Sequence, residues 1–420
     1  MANGLAKNEL VLFERILMGF NPNNITANQV SKYMAPPMQF ERAGLTVHRP
    51  IPYISTTTSG LTITPEDKTQ LTVPSSLNTT TNIINVPFQM NAVELNDPQQ
   101  RDRIVQSALI ALSAKVDNVI ARKVAQQGTL FVADSAALTT YSQVTKAESA
   151  MTLRDVPIMH PRSLILNAND YNALSGNLAQ RDSTPLGVSL TAFERSKIPM
   201  IGTFDSFKAS FMPGITAAAG SGITINGAGQ RYIPVSIDAN GNNVDHRYQT
   251  ITVNNTTDVA VGDAFTIAGV NALSMIHKND TQEAQTFRVI SVDSGTTMTI
   301  SPAIVVSDGA TEQSETDYAN CSAVPANGAA ITFLNTQPAL SNIFFANDSV
   351  EIIHGDLSSL ELDGSSGVAS QVESTDSGIQ ILFAKGSSVN NLQTTYRLTM
   401  WMDATVLNPM MCGNLVGGQT

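Results

Sequence analysis

The chain has 420 residues, of which 42% are hydrophobic and 14% are charged, and its formal net charge is −11. This length allows two or three domains with a packed core. The acidic balance and the lack of a long basic run argue against a protein that binds nucleic acid by neutralising phosphates.

The charged fraction is low, since about 25% is usual for globular proteins. Serine, threonine, asparagine, glutamine and alanine take the place of charged residues. A surface poor in charge suits subunits whose exterior lies mostly against neighbouring subunits. A neutral secreted β-protein is the alternative that composition leaves open.

Cys321 and Cys412 are the two cysteines, so one bridge is possible but a disulfide framework is not. Free thiols in a reducing cytosol are expected. Glu9, Glu14 and Arg15 interrupt any apolar core of a signal peptide, and no apolar run reaches the roughly 18 residues of a membrane span. The sequence therefore predicts neither secretion nor membrane insertion.

Two short helices are predicted before residue 40. The first covers about residues 7–18, and the second begins at Thr26, where Gln29 gives a capping-box spacing, and stops before Pro36. Four apolar residues mark one side of the first helix: Leu10, Phe13, Ile16 and Leu17. This segment is either an ordinary packed helix or an arm that reaches another chain.

Residues 44–97 change to alternating apolar and polar runs such as GLTIT and NIINVPFQM, separated by turn clusters such as TTTSG and PEDK. Period-two runs broken by turns predict β-hairpins. The runs hold few large apolar residues, so a long hairpin here is either poorly ordered or packs on another subunit.

A long helix is predicted from Pro98 to Gln127. Its apolar stripe follows helical spacing: Val105, Leu109, Leu112, Val116, Val119 or Ile120, and Val124. Asp97 is placed to cap the free amides, Pro98 suits the first helical position, and Gly128 allows a left-handed end. At 1.5 Å per residue the helix is roughly 45 Å long, so neighbouring segments must lie along it.

The region 129–222 alternates strands and helices, with a strand at TLFV, a helix near residues 141–153 and a strand at SLILNAND. A further helix is predicted at 170–178 and another at LTAFERSKIPMIG. Asn167 and Asp170 have the pattern of a turn and a helix cap and not of a catalytic pair. The pattern indicates a compact α+β unit.

From residue 223 to 335 the helical signals vanish and five strands are predicted: RYIPVSI, RYQTITV, DAFTIAGV, TFRVISVD and TMTISPAIV. Asp293-Ser294-Gly295 is a hairpin signal. Short strands at this spacing predict a small barrel or sandwich. The α+β pattern resumes at SNIFFANDSVEIIHGD, so the β-module is expected to be inserted into the α+β unit.

No catalytic, cofactor-binding or metal site is indicated by the residue patterns. The five histidines lack metal-ligand spacing, and no HExxH, CxxC, GxSxG or GxxxxGK[ST] pattern occurs. The glycines of GSGITINGAG lack phosphate-loop spacing and precede strands. The run DANGNN at 238–243 is only loosely like a calcium loop, and Asp356, Glu361 and Asp363 form either a carboxylate cluster or a solvated loop.

Four stretches, in this order along the chain, resemble the major capsid (coat) proteins of P22-like short-tailed phages: ITANQVSKYMAPPMQFERAGLTVHRP, RDRIVQSALIALSAKVDNVIARKVA, VDHRYQTITVNNTTDVAVGDAFTIAGV and ANGAAITFLNTQPALSNIFFANDSVEII. The resemblance implies an α+β fold of the Hong Kong 97 capsid type, with an added all-β, barrel-like insertion domain. Each stretch alone is weak, and their joint order over nearly the whole chain carries the resemblance.

The resemblance divides the chain into segments with expected roles. They are an N-terminal arm (1–43), an extended hairpin loop with peripheral-domain strands (44–97), a spine helix (98–128), the first part of the peripheral and axial α+β core (129–222), the inserted β-barrel domain (223–335) and the second part of the axial core (336–420).

The resemblance further implies a structural protein without enzymatic activity or cofactors. It would form the pentamers and hexamers of an icosahedral shell, with a scaffolding protein and a portal protein as partners, and enclose double-stranded DNA without sequence-specific contacts or a membrane. Assembly is expected in the host bacterial cytoplasm, with the virion capsid as the final location. No covalent cross-link between subunits is predicted.

The family's insertion domain carries a long loop that reaches across a two-fold contact. By position this contact loop is Ile237 to Gln249, with Asp238, Asp245, His246 and Arg247 as its charged or titratable members. A hairpin tip without a partner is the alternative for the loop. For the whole chain, the alternative is a β-rich phage tail or adhesin component that binds a receptor or glycan.

Overall fold

The computed structural model describes residues 5, 7–34, 46–52, 60–62, 71–78, 80–91, 94, 97–158, 160–180, 198, 200–235, 237, 241, 243–358, 361, 368–388 and 393–419. The helices are α1 (Lys7–Asn23), α2 (Pro98–Gln127), α3 (Tyr141–Leu153), α4 (Ala168–Gln180) and α5 (Gln313–Asp317). The strands before the β-module are β1 (Ser31–Met34), β2 (Thr46–Pro50), β3 (Thr72–Ser76), β4 (Ile83–Asn91), β5 (Leu130–Ala133), β6 (Arg162–Asn167), β7 (Met200–Ile201), β8 (Phe204–Ala209) and β9 (Gly214–Ile215).

The later strands are β10 (Gln249–Thr252), β11 (Ala264–Leu273), β12 (Asp280–Val292), β13 (Thr297–Ser301), β14 (Ile331–Phe333), β15 (Ala339–Leu340), β16 (Asn342–Ala346), β17 (Val350–His354), β18 (Val368–Ser374), β19 (Gln380–Ser388), β20 (Gln393–Val406) and β21 (Cys412–Val416). The chain forms two compact units. The first contains Met1–Val47, Ser75–Ile120 and Glu351–Thr405, and the second contains His48–Pro74, Ala121–Val350 and Val406–Thr420.

The first unit is built on a six-stranded sheet in the order β1-β17-β20-β19-β18, with β4 also paired to β20. Helix α1 packs on this sheet, where the ring of Phe13 stacks on that of Phe383 with a centroid distance of 5.4 Å. The stack continues from Phe383 to Tyr396 and from Tyr396 to Phe88. Glu9 of α1 is buried and accepts hydrogen bonds from Tyr396 Oη and Lys385 Nζ of the sheet.

Two predictions for the arm need correction. The first helix extends to Asn23. Its buried stripe consists of Leu12, Phe13, Ile16 and Phe20, and Leu10, which was expected in the stripe, is exposed. The second helix, expected from Thr26, is wrong: a turn leads directly into β1. Strand β1 pairs in parallel with β17, and this long-range pairing outweighs the local capping signal.

Helix α2 has the predicted bounds, and Asp97 caps it by accepting a hydrogen bond from the Gln99 amide at 3.0 Å. Ile120, and not Val119, completes the buried stripe. Gly128 does not take a left-handed conformation. It is instead required by close packing, since a Cβ there would lie 2.9 Å from the Gly413 Cα. By length and composition α2 could cross a membrane, a test that core helices of soluble proteins also pass, and half of its most apolar stretch is buried.

The second unit contains a six-stranded sheet in the order β5-β21-β16-β6-β8-β7. Strands from before and after the β-module pair directly in it: Ile343 of β16 pairs with Ile165 of β6, and Gly413 of β21 pairs with Leu130 of β5. Helices α3 and α4 contribute to the core on this sheet through residues such as Met151 and Leu174. The predicted helix at LTAFERSKIPMIG lies mostly outside the described residues, and its end is strand β7.

The β-module is a closed barrel. Its five-stranded sheet runs β10-β13-β12-β11-β14. The segment at Thr224 and Ile225 closes the ring, because Thr224 pairs with Ala330 next to β14 and Ile225 pairs with Val253 next to β10. The core is lined by alternating inward residues such as Phe265, Phe287 and Ile300. A closed ring leaves no long free edge at these strands.

Four of the five predicted barrel strands are present, but in RYIPVSI the described residues 231–235 form no strand. This segment follows an irregular path on which the Tyr232 amide donates to the Ile304 carbonyl at 2.7 Å, while the closing position is occupied by residues 223–225. The run NALSMIHKNDTQEAQ at 271–285, expected to be a connection, instead extends β11 and β12 into a long hairpin with register shifts. The hairpin signal at Asp293 is confirmed by the turn between β12 and β13.

Residues 44–97 contain the pair β2 and β3 and, separately, β4. The stretches 53–59 and 63–70, where the tip of the predicted hairpin falls, lie outside the described residues. Strand β4 belongs to the sheet of the first unit, with Phe88 opposite Tyr396. The extended loop therefore stays a prediction, now limited to the part of the chain between β2 and β3.

Candidate functional site

The contact loop starts and ends within the β-barrel. Ile237 and Asn243 form an antiparallel bridge at its base, and the loop leads into β10 at Gln249. Asp238 lies outside the described residues. Of the four predicted contact residues, the structure therefore places Asp245, His246 and Arg247, which follow one another at the base.

Asp245 and Arg247 form an ion pair within this chain. Arg247 Nε donates to Asp245 Oδ1 at 2.9 Å, and Nη2 donates to Oδ2 at 2.6 Å, so the contact is bidentate. The remaining donors of Arg247 reach the Val406 carbonyl at 2.8 Å and the Pro74 carbonyl at 3.4 Å. The guanidinium also lies 4.8 Å from the Tyr248 ring centroid.

The arginine is buried, with an exposed fraction of 8%. Burial works to lower its pKa, but the hydrogen bonds and charge of Asp245 outweigh burial and the pKa is raised. Burial of a guanidinium is costly, and the cost is offset when its charge is paired and its donors are satisfied. Asp245 is thus committed to Arg247, and the pair holds the loop base to Val406 and Pro74.

His246 is buried beside this pair, and its Nδ1 lies 3.4 Å from the Tyr232 hydroxyl. Burial lowers the pKa of His246, and the charge of Asp245 opposes this effect. The ring is therefore neutral at neutral pH. Its Nε2 is buried without a hydrogen-bond partner among the described residues. The three residues form a polar cluster that fixes the loop base.

A second set of polar contacts, which was not predicted from the sequence, fixes the barrel to the α+β sheet. Arg288 Nη2 of β12 donates to the Ala125 carbonyl in the last turn of α2, and the guanidinium lies 5.1 Å from the Phe131 ring centroid. The Thr286 hydroxyl donates to the Thr129 carbonyl. The signal available in the sequence was a lone charge at Arg288 within the apolar run TFRVISV.

Arg288 is 1% exposed. Burial lowers its pKa to about 10, with the charge of Asp263 opposing, so it remains a cation at neutral pH. Cations are stabilised at helix C-termini, where carbonyl groups lack intrahelical partners. The same Ala125 carbonyl also accepts a hydrogen bond from Asn414 Nδ2 at 2.7 Å.

The hairpin of β11 and β12 is held at the end of α3. Asp155, at a φ of 58°, accepts hydrogen bonds from the Ile276 and His277 amides at 3.2 and 3.0 Å. Arg154 Nη1 donates to Gln285 Oε1 at 2.8 Å. Burial tends to raise the pKa of Asp155, but these amide donors prevail and it is lowered, so the carboxylate stays ionised.

Two other motifs from the sequence have structural roles. Asn167 Oδ1 accepts the Asp170 amide at 3.0 Å, as a helix cap does. The GSGITINGAG segment closes the barrel. The predicted turn, cap and strand entry therefore account for both motifs.

The carboxylates at 356–363 bind backbone amides. Asp356 accepts the Ser358 amide, Glu361 accepts the Val372 amide, and Asp363 lies outside the described residues. Within the described part of the chain, no group of three His, Cys, Asp or Glu side chains could hold a metal ion.

Both cysteines are buried free thiols, as the sequence predicted. Burial raises the pKa of Cys321 to about 12 and raises that of Cys412 as well. Thiols in such surroundings are poor nucleophiles, because the thiolate is the reactive form. Their contribution is to packing, and Cys321 belongs to the barrel core.

Comparisons with known proteins identify the family. The model of the P22 coat protein family (gene protein 5) matches residues 1–418. The solved CUS-3 coat protein I-domain is 46% identical over 28% of this chain and 99% of that chain, with a TM-score of 0.23. A Mycobacterium phage Che8 structure is 10% identical over 93% of this chain and 90% of that chain (TM-score 0.42), and a virus-like particle from Pyrococcus furiosus is 9% identical over 96% of each (TM-score 0.40). The match over nearly the full length decides the assignment: this chain belongs to the P22 coat protein family, and its α+β fold is of the Hong Kong 97 capsid type.

Proposed function

We propose that this coat protein assembles with a scaffolding protein into an icosahedral shell that receives double-stranded DNA through a portal. The capsid role itself follows from the family, whose members are structural shell subunits of phages, and the tail or adhesin alternative falls with that membership. We propose that the chain has no catalytic role, that assembly takes place in the host cytoplasm, and that the DNA is enclosed without sequence-specific contacts.

The observation that carries the proposal is the family match over residues 1–418. The composition supports it, because a formal charge of −11 with only 14% charged residues suits an enclosing wall better than a phosphate-binding surface. Weak contacts between subunits suffice, since a closed symmetric shell repeats each contact many times.

We propose that residues 223–335 are an inserted domain with two roles. The first is to fold early and template the α+β sheet, whose strands come from both sides of the insertion. A closed barrel with its own core, tied to the sheet through Arg288, Thr286 and Asp155, supports this role. The fragment 223–335 is expected to give the circular dichroism of a folded β-domain, and a coil-like spectrum would argue against the boundary.

The second role is contact between subunits through the tip of the contact loop. Because Asp245 and Arg247 are satisfied within the chain, we assign the contact to Asp238 and its neighbours at the tip and a positioning role to the base. Asp238→Ala is expected to leave folding unchanged and to reduce shell closure. Normal closure by this variant would remove the tip from the contact.

The first experiment is negative-stain electron microscopy with sedimentation on the full chain, expressed alone and with a scaffolding protein. Closed shells, or spirals and aberrant shells without scaffold, are the expected result. A deletion of residues 53–70 tests the extended loop, because it leaves β2, β3 and β4 intact. This deletion should give a soluble, folded subunit that fails to close shells. A discrete small trimer from the full chain under both conditions would contradict the proposal.

A further inference from the structure

Asp117 is a carboxylate on the buried face of the spine helix α2. It is 1% exposed and lies between Val116 and Ile120, which are both fully buried. Its Oδ2 accepts a hydrogen bond from the Ile25 amide at 2.8 Å, and its Oδ1 accepts one from the Ala27 amide at 2.9 Å. An ionisable side chain in an apolar helix stripe is costly unless its partners are fixed, so these two hydrogen bonds make its burial possible.

The two amides belong to the connector, residues 24–30, which joins the end of α1 to β1. Asn24 ties the connector to α1, since its Nδ2 donates to the Phe20 carbonyl at 3.1 Å. A turn closes within it where the Gln29 amide donates to the Thr26 carbonyl at 3.0 Å. Asp117 therefore holds the junction between the arm helix and the first strand.

Few other charges act on this carboxylate. The connector carries no titratable side chain, and the neighbours of Asp117 one turn away on α2 are Ser113 and Ala121. Lys115 lies on the exposed side of α2. On α1, the side chains of Glu14 and Arg15 are exposed, and Glu9 is engaged with Lys385 and Tyr396.

Burial raises the pKa of Asp117 to about 6, and the amides of Ile25, Ala27 and Thr26 work in the opposite direction. Free aspartate in a flexible segment titrates near 3.9. Burial in the docked state thus outweighs the amides and favours the protonated carboxyl, whereas release of the connector would let the carboxylate ionise in water. Docking is strongest below about pH 4, weakens as pH rises toward 6, and is constant above that range.

We propose that Asp117 is a proton-linked latch that holds the connector, and with it the arm helix, to the spine helix. Protonation closes the latch and ionisation loosens it. From the difference of about two pH units, the opening equilibrium changes roughly a hundredfold over the whole titration and about tenfold between pH 5 and pH 7. The latch gives the arm helix a way to change its docking without unfolding the sheet.

The test is native-state hydrogen exchange of the purified full chain, followed in peptides covering residues 21–34 and corrected for the intrinsic effect of pH. The wild type is expected to show about tenfold more opening at pH 7 than at pH 5. Asp117→Asn cannot ionise and is expected to show a flat profile. Glu14→Gln, which removes an exposed carboxylate from the arm helix, is the matched control and should follow the wild type.

A flat wild-type profile, or an Asp117→Asn profile with the wild-type slope, would overturn the latch. If Asp117→Asn does not fold, the comparison of wild type with Glu14→Gln remains, and carbon-13 NMR of the labelled aspartates measures the titration directly. A carboxyl at Asp117 that titrates near 4 would equally overturn the proposal, since a merely structural hydrogen bond needs no raised midpoint.

Discussion

Arg288 of the barrel donates a hydrogen bond to the Ala125 carbonyl in the last turn of the spine helix, while its guanidinium lies 5.1 Å from the Phe131 ring centroid. The same carbonyl accepts from Asn414, near the C-terminal end of the chain. One helix end thus joins chain segments from before, within and after the β-module. The helix C-terminus supplies partial negative charge, and the ring face adds a cation–π contact, so a buried cation is stabilised there.

Replacing Arg288 with methionine keeps most of the volume but removes this charged contact. We expect the free energy of unfolding to fall by about 2–3 kcal/mol, since hydrogen bonds that involve a charged group are worth that much. Urea denaturation of the unassembled chain measures the change. Arg122→Met, on the exposed side of the same helix, is the control and should change stability by less than about 0.5 kcal/mol. Equal stability of both variants would show that Arg288 is not a structural tie.

Replacing Asp245 with asparagine leaves the buried Arg247 without its carboxylate. The expected loss of stability is about 2–3 kcal/mol, because an uncompensated buried charge remains. Hydrogen exchange should locate the effect at the base of the contact loop. Asp308→Asn, an exposed carboxylate in the same barrel, serves as the control. An effect confined to shell assembly, with unchanged stability, would instead assign Asp245 to a contact between subunits.

Gly413→Ala should be strongly destabilising. A Cβ at this position would overlap the Leu130 carbonyl oxygen on the neighbouring parallel strand, where the backbone cannot yield. Overpacking of this kind costs about 3 kcal/mol or more. Gly176→Ala is the matched contrast, because it sits in helix α4 and a Cβ there would have no neighbouring atom within 4 Å. That variant should gain about 0.5–1 kcal/mol, and loss of stability there would argue against the helix.

Phe13→Ala removes the side chain by which the arm helix α1 stacks on Phe383 of the sheet. Phe13 is 1% exposed, so the loss is expected at about 3–5 kcal/mol, with faster exchange of amides in residues 7–23. Leu10→Ala, at a position with an exposed fraction of 38%, should have little effect. Similar small effects of both changes would mean that α1 does not pack on its own chain in solution.

His246, at the base of the contact loop, makes the stability of the folded chain depend on pH. Because its pKa is lowered in the folded chain, the unfolded chain takes up the proton first, and stability falls as pH drops below about 6.5. His246→Gln should remove this part of the decline. Denaturation midpoints measured between about pH 7.5 and 5.5 test it, with His160→Gln as the control. An unchanged slope in His246→Gln would exclude the histidine as the cause.

The alternating runs predicted most strands, and the capping residue Asp97 predicted the start of α2, because these signals are local. Asp97, Pro98 and the apolar stripe from Val105 to Val124 act within a few residues of each other. RYIPVSI shows the limit of the same reasoning. Its alternation is good, yet the strand position is taken by residues 223–225, which complete the ring between β10 and β14.

Local patterns were enough to predict the spine helix and a small barrel or sandwich within residues 223–335, whereas the family followed from the resemblance of four stretches. The contact loop, which the resemblance suggested, stays a prediction, and the sequence did not reveal the groups that its charges bind. The partners of the buried charges became known only from the folded chain: Asp117 meets amides about 90 residues away, and Arg288 meets a carbonyl 163 residues away. Local patterns record which residues avoid water, whereas the partner of a buried polar group depends on which distant segment arrives beside it.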